Sequence, residues 1–111
     1  MAGKFDLKKS TNGKFYFNLK AGNGQTILTS EMYESKGGAS SGIDSVKRNA
    51  PDDKRYERKK SAQGEPYFVL KAGNGEQLGR SENYSSEPAM ENGIESVKEN
   101  APTATVEDNA G

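Results

Sequence analysis

Two short clusters carry the side chains best suited to chemistry: Ser30-Glu31-Met32-Tyr33 and Ser81-Glu82-Asn83-Tyr84. Hydroxyl, carboxylate and phenol together offer donors, acceptors and an aromatic face, which is what a small polar binding site requires. They do not make a nucleophilic centre. The chain has no His and no Cys, so neither serine has an imidazole to activate it. Hydrolysis usually borrows a base that titrates near neutrality, and the lack of one argues against an enzyme. Competing with binding is a structural role, in which these hydroxyls and carboxylates satisfy backbone groups where a strand passes into a helix. The site expected from sequence is therefore a pair of equivalent pockets, one at Ser30, Glu31 and Tyr33 and one at Ser81, Glu82 and Tyr84.

Other constellations are weaker. Lys20-Ala-Gly-Asn-Gly24 and Lys71-Ala-Gly-Asn-Gly75 are glycine-rich but lack the Gly-Lys-Ser/Thr ending of a phosphate loop, and they lead into a strand. They read as hairpin turns. Glu87, Glu91, Glu95 and Glu99 recur every four residues and form one acidic ridge, either a dock for a basic partner or cation or an ordinary solvated face. Tyr16, Lys20, Tyr67 and Lys71 interleave aromatics with cations, the pattern of a sheet surface that stacks single-stranded bases. Formal net charge is zero, which opposes nucleic acid, and ordinary cross-strand pairing accounts for the same four residues. No cofactor or metal set is expected.

The elements that position these groups come from a duplication. Phe5–Pro51 aligns without a gap onto Tyr56–Pro102, an offset of 51 residues, and both copies close on Asn-Ala-Pro. In the first copy Phe5 and Leu7, then Phe15, Phe17 and Leu19, alternate with polar residues as half-buried strands do. Asn12-Gly13 between them predicts a type I′ hairpin turn, and Asn23-Gly24 a second turn into a strand near residues 25–31. Beyond Tyr33 the period changes, with Ala39, Ile43, Val46 and Ala50 on one helical face, Ser35 as the cap and an end near Asn49 before Pro51. In the second copy Tyr56, Phe68, Leu70, Leu78, Met90, Ile94 and Val97 point inward, while Pro66 fits a strand start or an edge.

One unit of about 50 residues hides too little apolar surface to offset its ordering entropy, about 1–2 kcal/mol per residue. Each three-stranded ribbon also leaves two open edges. The fold expected is α+β: tandem β-β-β-α repeats (residues 4–51 and 55–102) in one domain over residues 1–102. They form a six-stranded antiparallel sheet with both helices on one face, followed by a mobile tail over residues 103–111. Charge favours docking of the halves. Residues 1–51 hold eight Lys or Arg against four Asp or Glu, and residues 52–111 hold eight against twelve.

Lack of Cys points to a reducing compartment, and no stretch approaches the ~20 apolar residues needed to span a bilayer. A cytoplasmic monomer follows as the expectation, serving as a non-catalytic binding or interaction module. A nucleic-acid binder that uses the open sheet face is the alternative.

Leu-Lys-Ala-x-Asn-Gly, then Ser-Glu-x-Tyr-Ser-Ser in the second copy, then Asn-Gly-Ile-Glu-Ser-Val-Lys-x-Asn-Ala-Pro, resemble the YegP-like family of uncharacterised small bacterial proteins. The resemblance covers nearly the whole chain except the tail. It implies tandem β-β-β-α repeats in one sheet, with the helices exchanged between repeats, and brings no activity to carry over. Gly37-Gly38 departs from the pattern at the first helix start, at a cost of about 1 kcal/mol per Gly relative to Ala.

Overall fold

Apolar and polar residues alternate along most strands, and the apolar set closes one face of the sheet. The computed structural model describes residues 3–110. The strands are β1 (Lys4–Lys9), β2 (Phe15–Lys20), β3 (Thr26–Ser30), β4 (Tyr56–Lys60), β5 (Pro66–Lys71), β6 (Gln77–Arg80) and β7 (Thr105–Asp108). Helix α1 (Lys36–Asn49) follows β3 and α2 (Glu87–Asn100) follows β6. Short 3-10 turns at Asp53–Arg55 and Ala101–Thr103 lead out of the two helices.

The sheet runs β4-β5-β6-β3-β2-β1-β7, so the two ribbons meet where β3 lies antiparallel to β6. That seam consists of Thr29 opposite Arg80 and Ser30 opposite Gly79. Phe5, Phe17, Leu19 and Leu28 from the first copy and Phe68, Leu70 and Leu78 from the second join Ile43, Val46, Ile94 and Val97 of the helices in one continuous core. Helix α1 is capped as its sequence predicts, the Gly38 N–H donating to Ser35 Oγ (2.9 Å), and in α2 the Ala89 N–H donates to the repeat equivalent, Ser86 Oγ (3.2 Å). Pro66, which cannot donate, stands at the first position of β5.

Four features depart from the sequence expectation. The sheet has seven strands, not six, and is mixed, because β7 pairs parallel with β1. The tail is accordingly no loose end: Thr105–Asp108 is ordered into the sheet, while Gly111 lies outside the described residues. Shifted by the repeat offset, residues 105–108 fall on residues 54–57, the entry to β4. The segment after α2 thus arrives at the edge its counterpart occupies in the other half, finds β1 already there, and adds outside it in the same direction. No residue is identical between the two segments, which is why the pattern was not visible in the sequence.

Helix placement differs as well. Gly42 of α1 sits against Tyr33 and Phe17 of its own copy, and Gly93 of α2 against Tyr84 and Phe68 of its own. The helices are therefore not exchanged outright but bridge the halves: α1 also touches β5 and β6, and α2 also touches β3. The first hairpin, finally, is not type I′. The Ser10 N–H donates to the Lys14 carbonyl and the Gly13 N–H to the Ser10 carbonyl, and only Gly13 has positive φ (82°). This is a type I turn closed by a left-handed glycine, which needs no strained φ at Asn12.

The seam leaves no room for a side chain at Gly79, where a Cβ would stand 2.9 Å from Leu28 Cγ and from the Thr29 carbonyl oxygen. Gly79→Ala is expected to cost about 1–3 kcal/mol in urea unfolding. Gly37→Ala, in open space on a helix, should be neutral or stabilising by up to about 1 kcal/mol. Equal stability of the Gly79→Ala chain and the wild type would refute a close-packed seam.

Candidate functional site

Both Ser-Glu-x-Tyr clusters lie at the passage from the inner strand to the helix, and the structure separates their members by role. Ser30 is buried; its Oγ accepts from the Phe17 N–H (2.8 Å) and donates to the Glu31 carbonyl (2.8 Å). Ser81 repeats this, accepting from the Phe68 N–H (3.0 Å) and donating to the Glu82 carbonyl (2.8 Å). Each serine thus supplies a ladder bond at a strand end and has no hydroxyl left for a ligand. Glu31 is exposed and accepts from Gln77 Nε2 (2.9 Å) across the two copies, while Glu82 is exposed.

The tyrosines behave differently. Tyr33 and Tyr84 are half-buried and stack on Phe17 and Phe68 at 6.2 and 6.3 Å, each at 12° between planes. Only glycine on the helix allows the phenol this approach, since a Cβ at Gly42 would lie 2.4 Å from the Tyr33 hydroxyl and one at Gly93 2.2 Å from that of Tyr84. Burial pushes both phenols above their ordinary pKa. The charges of Glu76 and Glu31 add to the shift at Tyr33, and that of Glu82 adds at Tyr84.

Tyr84 opens onto a cleft of about 290 Å³ between α2 and the β2–β3 turn of the first copy. Asn23, Gln25, Asn92 and Ser96 line it with amides and a hydroxyl, over a floor of Ala21, Ile27, Ala89 and Gly93. Of the residues expected from sequence, only Tyr84 reaches this cleft. Its other polar residues were missed because Asn23 reads as a turn former and Asn92 as an exposed helical position. Their convergence is a long-range event. Tyr33 faces the second copy's β5–β6 turn, where Glu76 stands in place of Gln25, so the two halves differ in charge at this point.

The remaining constellations are largely satisfied internally. On the open face Lys20 pairs with Asp6 (3.3 Å), Lys71 with Glu57 (3.2 Å), and the Arg80 guanidinium lies 4.0 Å over the Tyr67 ring. Burial alone would raise the Asp6 carboxyl, but hydrogen bonds from Asn109 and Lys20 and the Lys8 charge outweigh it and hold the pKa low. Three of the four acids of the α2 ridge are paired, and Glu99 is exposed. Glu91 takes two bonds from Arg58 (2.6 and 3.0 Å), Glu87 meets Lys60 (3.5 Å) and Glu95 meets Lys98 (3.5 Å).

Two expectations follow. Ser30→Ala or Ser81→Ala leaves a buried strand N–H unpaired and should cost about 1–3 kcal/mol each in urea melts, with the fold retained. Tyr56, whose hydroxyl donates to the Ala50 carbonyl (2.8 Å), has its pKa raised by burial and then by Asp53 and Glu95. The folded state therefore favours the protonated phenol, so its contribution is fully present below pH 10, the ordinary phenol value, and falls as pH rises further. A wild-type urea midpoint that drops no more steeply above pH 10 than that of Tyr56→Phe would contradict this.

The model of a domain of unknown function (DUF1508) matches the chain twice, at residues 10–57 and 61–108, which are separated by the repeat offset. The YegP protein of the UPF0339 group from Escherichia coli K12 is 51% identical over 109 residues, covering 98% of this chain and 99% of that protein. A UPF0339 protein of Acinetobacter baylyi is 49% identical over 111 residues, the full length of both. Among solved structures, the solution structure of Escherichia coli yegP, described as a protein of unknown function, superposes with a TM-score of 0.95 at 51% identity. It covers 100% of this chain and 96% of that one. That of a Shewanella oneidensis UPF0339 protein gives 0.93 at 49% identity, covering 99% and 93%. With two matched repeats and full-length UPF0339 relatives at half identity, the chain belongs to the DUF1508 family and carries its domain twice in tandem.

Proposed function

We propose that the chain is a non-catalytic binding module whose Tyr84 cleft holds a small, uncharged, polar ligand. The observation that carries this is the lining: Tyr84, Asn23, Gln25, Asn92 and Ser96 face the cleft, and no Lys, Arg, Asp or Glu lines it. Side-chain amides offer a donor and an acceptor each, so two of them on facing walls suit a ligand bearing amides or hydroxyls. The volume sits at the small end of ligand pockets and fits one sugar, one nucleobase or a dipeptide. An enzymatic reading lacks a proton carrier that titrates near neutrality, since the chain has no His, the cleft has no carboxylate and burial pushes the Tyr84 phenol up. Nucleic acid is disfavoured on the open face, where Asp6 holds Lys20, Glu57 holds Lys71 and Tyr67 lies beneath Arg80. Among the described residues no helix is long and apolar enough to cross a membrane. The absence of Cys supports a reducing, cytoplasmic setting, and the duplication supports a monomer that supplies its own second half.

The test is amide NMR with N-acetylglucosamine, uridine and a capped dipeptide as probes. One of these classes should shift residues 21–27 and 92–96, with affinity reduced about tenfold by Asn92→Leu, the effect of losing one amide pair worth ~1.4 kcal/mol. Ser41→Leu, at the matching place on α1, should leave it unchanged. No shift with any probe at 10 mM (about the weakest affinity worth pursuing, under 3 kcal/mol) removes the reading.

A further inference from the structure

The two outer edges of the six-strand core are protected by different means. At β4 the protection is built into the chain: the 3-10 turn at Asp53–Arg55 folds back so that the Tyr56 N–H donates to the Asp53 carbonyl. Arg58, clamped by Glu91 and Asp53, stands beside it. Such turns and charges are how sheets permanently blunt an edge. β1, its counterpart, is covered by β7 alone, and β7 comes from the far end of the chain.

The hold of β7 is narrow. Its ladder matches Lys4 to Thr105 through Leu7 to Asp108, closed by the Thr105 N–H on the Gly3 carbonyl (3.4 Å) and the Asn109 N–H on that of Leu7 (2.8 Å). Side-chain contacts are electrostatic: Lys4 to Glu107 (3.2 Å), Lys36 to Asp108 (2.8 Å), and Asn109 Nδ2 donating to Asp6 (2.7 Å). All four β7 residues are exposed, Val106 remains 49% exposed, and only the small Ala104 and Ala110 at either end are buried. Exposed ion pairs contribute little, and a strand without apolar burial opens easily.

We propose that the β1 edge is a strand-docking site for an acidic, extended segment of a partner protein, lying parallel to β1, and that the C-terminal tail is its internal occupant. The geometry names the chemistry of the occupant. It needs free backbone N–H and C=O groups with the spacing of β7, acids where Glu107 and Asp108 meet Lys4 and Lys36, and an amide beyond them for Asp6. Charge agrees, because the half that owns β1 carries the cationic surplus of the chain. Strand addition of this kind takes affinity from the ladder and selectivity from side chains on the flanks. The tail competes at the high effective concentration of a tethered ligand, so binding in trans is regulated by whatever loosens it.

The experiment uses the full chain carrying Glu107→Pro, which removes the ladder N–H midway between those of Thr105 and Asn109. The probe is a synthetic peptide of residues 103–110. The Phe5 and Leu7 amides should shift and gain protection from exchange as peptide is added. The wild-type chain should need at least tenfold more peptide, and a peptide with Lys at the two acid positions should bind at least tenfold more weakly. A second loosened chain, Asp108→Lys with Asn109→Ala, should behave like the first. Three outcomes overturn the proposal. In one, neither variant exposes the Phe5 and Leu7 amides to exchange, which makes the tail a fixed strand. In another, the acidic and reversed peptides bind alike. In the third, the wild type forms a dimer by reciprocal tails, which assigns the edge to self-association.

Discussion

Two residue pairs, Thr29 with Arg80 and Ser30 with Gly79, hold β3 to β6 and turn two three-stranded ribbons into one sheet. The contact is short because each inner strand ends where its helix must begin, and it is tight because Gly79 lets Leu28 and the Thr29 carbonyl approach its backbone. What the seam lacks in length the helices supply by touching strands of both copies. Without that join each half would leave an unpaired edge and about half of the core open to water, so packing, site and edges all follow from it.

Duplication makes the candidate site and divergence gives it character. A stacked Phe-Tyr pair beneath a helical glycine is built twice, with nearly the same distances and angles. At the Tyr84 end the other copy contributes Asn23 and Gln25; at the Tyr33 end it contributes Glu76. Gln25 against Glu76 in the turns, and Asn92 against Ser41 on the helices, therefore give the two ends different chemistry on similar scaffolds. A pair of tandem copies can do this and an exact repetition of one copy cannot.

The outer edges show the same break of symmetry. Residues after α1 become a 3-10 turn and β4, whereas residues after α2 become a turn and β7 laid outside β1. Tyr56 and Glu107 occupy equivalent places, one buried with its hydroxyl on the Ala50 carbonyl and the other exposed against Lys4. The apolar anchor drives β4 into the core; the charge leaves β7 on the rim.

Strands, helices, the first cap and the repeat were legible in the sequence, since they depend on neighbours within a few positions: alternation at Phe15, Phe17 and Leu19, the helical face of Ile43 and Val46, the Ser35 cap. The structural use of Ser30 and Ser81 was weighed there too, and Tyr84 was named as a site residue. What only the tertiary structure decided is which distant groups share a place. Asn23 and Asn92 line one cleft from opposite copies, and Asp6 meets Asn109 at a separation of 103 residues. The tail illustrates the reason. Thr105–Asp108 has no apolar period to announce a strand, and its order comes from the N–H and C=O groups of β1, a template that exists only once the rest of the chain has folded.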